Sequence, residues 1–259
     1  MMQDKQIIGE QNRLEILQWL HRFGWLTTRQ IAKLVWKEKT SSLVMAQRTI
    51  TSILAKQLII KRRIKTGSEV ILLGSKGARL LKTELNISAK SGAKLLLGNP
   101  IHRSACNWYL IHELAKGNAV YTEHEIQSCR APMFSCYGKV PDGLVIIEGQ
   151  GVIWLEVENS WKSIKEREKL IKFCADTLSN STYMEQLWDD NYLLKVRILA
   201  ITSHSANAML RTFAKNYNEG LISKVALNDV WLTYAPMTTG LIYPEESKVV
   251  NFGSLDDLV

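Results

Sequence analysis

Pro141-Asp142-Gly143-Leu144-Val145-Ile146-Ile147-Glu148-Gly149-Gln150-Gly151-Val152-Ile153-Trp154-Leu155-Glu156-Val157-Glu158 is the stretch on which the reading of this chain turns. Two β-rich runs, 139–147 and 151–158, flank the turn Glu148-Gly149-Gln150 and predict a hairpin. Residues at i and i+2 of a strand share a face, about 6.6 Å apart along it. Glu156 and Glu158 therefore point one way, with Leu155 and Val157 on the opposite face. Closing the hairpin brings Asp142 beside Glu156. Carboxylates gathered in this way repel one another unless a divalent cation joins them. Mg²⁺ or Mn²⁺ held by Asp142, Glu156 and Glu158 would polarise a phosphodiester and activate a water.

Outward from this hairpin, the pattern predicts a helix over 101–116, a strand over 119–126 and an irregular stretch to 137. After the hairpin come a charged amphipathic helix over 163–178, a strand over 196–202, a helix over 205–219 and a last strand over 231–234. The order is α-β-β-β-α-β with a trailing helix. Lys162, four residues past Glu158, opens the helix and is the candidate cation of the site. His124 and Glu125, on the preceding strand, and Glu113, on the first helix, are accessory candidates, for which an ordinary structural role is the stronger reading. The charged run from Lys162 to Lys172 reads as a solvated helix face laced by i,i+3 and i,i+4 pairs.

The N-terminal part reads differently. Leu14, Leu17 and Leu20 recur at helical spacing over 11–23, and Gly24 stops that helix. Thr27 or Thr28 caps a second helix over 29–36, and a third covers 43–56, with Val44, Ile50, Ile53 and Leu54 inward. The runs 58–64 and 69–73 around Lys65-Thr66-Gly67-Ser68 form a hairpin, and a short helix follows. Three helices and a hairpin is the winged helix-turn-helix order. In such a unit Gln47, Arg48, Thr51 and Ser52 approach base edges, while Lys61, Arg62, Arg63 and Lys65 reach phosphates or the minor groove. The Ser/Gly/Lys-enriched stretch 86–99 reads as a linker, which divides the chain into 1–85, 86–99 and 100–259.

Composition supports that division. Of the 33 Lys/Arg and 25 Asp/Glu, residues 1–100 hold 18 and 6, a balance of +12, and the remainder is at −4. The basic part suits a polyanion and the acidic part a cation. Four cysteines without a CxxC pair give no disulfide framework or zinc site, and five scattered histidines give no metalloprotease pair and no His-hydrophobe-His triplet. No GxxxxGK[ST] or GxGxxG motif is present, which argues against nucleotide-driven chemistry. No apolar run approaches the roughly 20 residues of a membrane span, and residues 1–6 lack a signal-peptide core, so a cytoplasmic protein is expected.

The α-β-β-β-α-β order, with Pro141-Asp142 and the later Glu156, resembles the PD-(D/E)xK restriction-endonuclease-like fold. The whole chain is then of mixed α+β or α/β class, a winged helix followed by a nuclease-like domain. The resemblance implies that Asp142 and Glu156 hold the metal. It also expects a Lys two residues after Glu156, where this chain has Glu158, leaving Lys162 to supply the charge. A winged helix fused to such a domain is similar to the replication-relaxation superfamily, and more narrowly to the MOB-C class of plasmid mobilisation relaxases. That likeness implies metal-dependent, strand-specific nicking of double-stranded DNA at a plasmid transfer origin during conjugation. Relaxosome accessory proteins and a coupling protein would be its partners. The Glu at position 158 keeps open a second reading: a non-catalytic DNA-binding regulator, replication initiator or relaxosome accessory protein with a degenerate nuclease domain.

Overall fold

The structure is a computed structural model describing residues 2–37, 39–65, 67–132, 139–159, 163–179, 186–188, 191–236 and 248–251; for 2–4, 186–188 and 248–251 it describes the backbone alone. The chain is of mixed α+β class and divides into two compact units, Met1–Pro100 and Ile101–Val259.

In the first unit, α1 (Met2–Phe23) leads through a two-residue strand, β1 (Trp25–Leu26), to α2 (Thr28–Trp36) and α3 (Ser42–Ala55). A hairpin of β2 (Ile59–Arg63) and β3 (Glu69–Leu73) and a helix, α4 (Ser75–Leu85), complete it. The strands form one antiparallel sheet in the order β1-β3-β2. Each boundary has a local cause. Gly24, at φ 76°, leaves α1 in a left-handed conformation that costs a glycine little. Thr27 caps α2 through a reciprocal box: its hydroxyl accepts the Gln30 N–H while the Gln30 side chain accepts the Thr27 N–H. Ile16, Leu17, Leu20 and Phe23 of α1 are buried, as are Ile50 and Ile53 of α3. Val44 is 47 % exposed, not inward as the sequence suggests. The buried face of α3 runs through Ala46, Ile50 and Ile53, and a residue two before Ala46 lies about 200° around the helix from it.

The stretch 86–99 is not a free linker. A single 3₁₀ turn at Gly92–Lys94 lies against β3: Gly92 is buried on Leu72, and the Ser91 hydroxyl donates to the Leu73 carbonyl at 3.3 Å. Arg62 fixes it further by donating to the carbonyls of Leu95 (2.7 Å) and Gly92 (3.2 Å). Small and polar residues read as a loop from composition alone, but their backbone carbonyls supply what a half-buried guanidinium requires.

The second unit begins with α5 (Pro100–Ala115), β4 (Ala119–Thr122) and α6 (Glu123–Gln127). It continues with β5 (Gly143–Ile147), β6 (Gly151–Glu158), α7 (Ile164–Leu178), β7 (Gln186–Trp188) and β8 (Asn191–Ala200). Then come α8 (Ser203–Asn218), α9 (Lys224–Asn228), β9 (Val230–Tyr234) and β10 (Lys248–Asn251). The sheet runs β10-β9-β8-β6-β5-β4, with β7 paired to β8. β5 is antiparallel to both β4 and β6, whereas β6, β8 and β9 are mutually parallel. The strand expected over 119–126 stops at Thr122, because Thr122 and Glu125 form a capping box that turns the chain into α6.

Every residue of β6 is buried, as befits a strand covered on both faces. Val152 and Trp154 on one face join Leu170, Phe173 and Cys174 of α7 and Met209 and Phe213 of α8 in one core. The other face carries Leu155 and Val157, and a Cβ on Gly143, which is registered with Leu155, would lie 3.0 Å from Leu110 of α5. The glycine of Pro141-Asp142-Gly143 thus lets α5 approach the strand end closely.

Candidate functional site

Asp142 stands immediately before β5, and the Gly143↔Leu155 register sets it across from Glu156. Its N–H donates to the Leu155 carbonyl at 3.0 Å, and its Oδ2 accepts the Val157 N–H at 2.7 Å. The carboxylate therefore extends the β5–β6 ladder past the end of β5. His102 of α5 places Nε2 3.2 Å from the same Oδ2, and the Cys106 thiol donates to the Asp142 carbonyl at 2.8 Å. Burial raises the Cys106 thiol above its ordinary value, and the neighbouring Glu123 and Asp142 carboxylates raise it further.

Glu156 is 2 % exposed, an extreme burial for a carboxylate, and both its oxygens are engaged. Trp154 Nε1 donates to Oε1 at 2.7 Å, the expected meeting of i and i+2 side chains on one strand face. Lys139 Nζ donates to Oε2 at 3.2 Å, from a side chain only 18 % exposed. Trp154 is itself held by Phe173, ring centroids 4.5 Å apart. Burying a carboxylate is costly unless it is paired and hydrogen-bonded, and here it is both. Beneath it, burial raises the Cys174 thiol, and the Glu156 charge adds to the effect. Glu158 follows on the same face, 2 % exposed and registered with Ala200 of β8.

Asp142, just before β5, thus lies across from Glu156 of β6, with Glu158 two residues further along. Among the described residues, however, no group of three or more His, Cys, Asp or Glu side chains is arranged to hold a metal ion. The expected cage of Asp142, Glu156 and Glu158 is not formed, because Glu156 turns to Trp154 and Lys139 while Asp142 turns to Val157 and His102. Two carboxylates, Asp142 and Glu156, are the donors this part of the sheet offers a hard divalent cation. Mg²⁺ is commonly held by one or two carboxylates, with water and substrate phosphate completing its octahedron.

Lys162 lies outside the described residues, as do Cys136 and Tyr137. Glu125 is committed to the Thr122 cap, and Glu113 to Lys116 Nζ and Asn118 Nδ2, each at 2.7 Å. His124 is on α6 and not on a strand. Sequence reasoning missed Lys139, His102 and Cys106. Lys139 gave no signal, since a lysine three residues before Asp142 matches no spacing rule, and His102 depends on how α5 crosses the sheet.

In the first unit, Gln47, Arg48, Thr51 and Ser52 are exposed along α3, and the Thr51 hydroxyl donates to the Gln47 carbonyl at 2.9 Å. Lys61, Arg63 and Lys65 are exposed on the hairpin, with Lys61 paired to Glu69 at 3.2 Å. Arg62, expected among the phosphate contacts, alternates to the other side and spends its guanidinium on Gly92 and Leu95. Lys76 and Arg79 of α4, which the sequence did not single out, join Lys61 around a cleft of about 590 Å³.

No protein-family model, curated protein or solved structure matches this chain. Among the described residues, no helix is long and apolar enough to cross a membrane.

Proposed function

We propose that this chain is a DNA-processing protein in which a winged-helix unit binds double-stranded DNA and a restriction-endonuclease-like unit nicks one strand. Its place of action would be a plasmid transfer origin, as a relaxase working with relaxosome accessory and coupling proteins. The observation that carries the nicking reading is the register that sets Asp142, just before β5, across from Glu156 of β6. The sheet supports it: β4-β5-β6-β8-β9 lie in chain order with β5 alone antiparallel, α5 precedes β4 and α7 connects β6 to β8, an element order compatible with the expected α-β-β-β-α-β sequence. The order α1-β1-α2-α3-β2-β3 and the exposed cations of α3 and the hairpin support the DNA-binding part.

Asp142 and Glu156 would hold Mg²⁺ or Mn²⁺, which when bound polarises the phosphodiester and lowers the pKa of an attacking water. The chain's own groups set the geometry. The Val157 N–H orients Asp142, and the Trp154 N–H fixes Glu156 so that only Oε2 changes partner.

The non-catalytic reading rests on a specific observation too: Glu156 is already satisfied by Trp154 and Lys139. A supercoiled plasmid carrying the DNA that flanks the protein's own gene separates the two readings. A nicking enzyme converts it to open circles only with Mg²⁺ or Mn²⁺. Asp142→Ala and Glu156→Gln then lose at least about 10²–10³-fold in rate, with DNA affinity changed no more than a few-fold. Tight DNA binding without any metal-dependent nicking would favour the regulator reading.

A further inference from the structure

Lys139 touches Glu156 at Oε2, and Glu156 is almost wholly removed from solvent. We propose that Lys139 is the positive group of this site and exchanges places with the metal ion. Without metal its ammonium neutralises Glu156; with metal bound at Glu156 it is released to a DNA phosphate. The proposal rests on the nicking function proposed above and names a residue that the Pro-Asp…Glu-x-Glu pattern does not reveal.

The argument begins with charge. A carboxylate 2 % exposed needs a compensating cation close by, and Trp154 offers only a neutral N–H. Lys139 meets that need at 3.2 Å from Oε2, while Trp154 holds Oε1. Oε2 is thus the oxygen whose partner is a flexible ammonium, and so the one that can be yielded to an incoming ion. The lysine is 18 % exposed, enough for its head to reach outward to an anion. At position 158, where a nuclease-like motif would place a lysine, the chain has a buried Glu, which makes a cation from outside β6 the more necessary.

A metal ion and an ammonium that compete for one carboxylate produce a signature that a merely structural lysine would not. Thermal unfolding of the full chain with and without MnCl₂ reads the competition through ligand-linked stabilisation, and the plasmid assay reads the rate. Lys139→Met should be less stable than wild type without metal, yet gain a larger increase in Tm from Mn²⁺, corresponding to about tenfold tighter binding. It should nick about 10²–10³-fold more slowly, as for the loss of one placed electrostatic group. Lys139→Arg, which keeps the charge, should retain wild-type stability and most of the rate even if the Met variant folds poorly. Equal Mn²⁺ shifts in wild type and Lys139→Met, or wild-type nicking by Lys139→Met, overturns the proposal while leaving the nuclease reading intact. If wild type does not nick, and Asp142→Ala and Glu156→Gln leave its Mn²⁺ shift unchanged, the nuclease reading itself is at fault and the proposal falls with it.

Discussion

Trp154 shows how much a single side chain does at this site. Its ring fills the core against Phe173 while its N–H fixes one oxygen of Glu156, so one residue serves packing and polarity together. Trp154→Phe keeps an aromatic ring but leaves a buried carboxylate oxygen without its donor, which should cost about 1–3 kcal/mol; urea unfolding measures it. The two buried thiols give a second residue-scale expectation. Both Cys106 and Cys174 are raised above the ordinary thiol value, first by burial and then by nearby carboxylates. A group whose folded value lies above its unfolded one contributes stability that is complete below the unfolded value and lost as pH rises above it. Tm should therefore decline as pH rises beyond about 8.5, the usual thiol value. Cys174→Ala should make that decline shallower than in wild type.

At the scale of elements, the hairpin of β2 and β3 separates two roles that the run Lys61-Arg62-Arg63 runs together. Strand alternation puts Lys61 and Arg63 on one side and Arg62 on the other, where it binds the stretch around Gly92. Removing Lys61, Arg63 or Lys65 should each reduce the log–log salt slope of DNA binding by about 0.9. Arg62→Ala should leave that slope unchanged and instead lower stability by about 1.5–3 kcal/mol, the range for hydrogen bonds to a charged group. Binding titrations from 50 to 300 mM salt and urea unfolding of the same variants distinguish the two classes. An Arg62→Ala slope reduced as much as that of Lys61→Ala would return Arg62 to the DNA-facing set. The helix α6 carries a related lesson. Thr-x-x-Glu at Thr122 and Glu125 is a legible capping box, yet the β-favouring run Ala119-Val120-Tyr121-Thr122 before it draws the reading onward as strand.

Across the whole molecule, the charge asymmetry follows the two units. The basic excess of residues 1–100 falls in Met1–Pro100, and the acidic balance falls in Ile101–Val259. Periodicity and turn chemistry by themselves determined α2, α3 and the part of α1 from residue 11 onward, though not its start at Met2, together with the first hairpin, the pairing of β5 with β6 and the i,i+2 facing of Glu156 and Glu158. These depend on neighbours within a few residues, where spacing alone decides which side chains share a face. Tertiary structure decided the rest. Lys139 reaches Glu156 from outside β6, His102 reaches Asp142 from a separate helix, and Arg62 finds carbonyls some thirty residues away. None of these contacts leaves a mark in local sequence, because each depends on where buried charge, once formed, can find a partner in three dimensions.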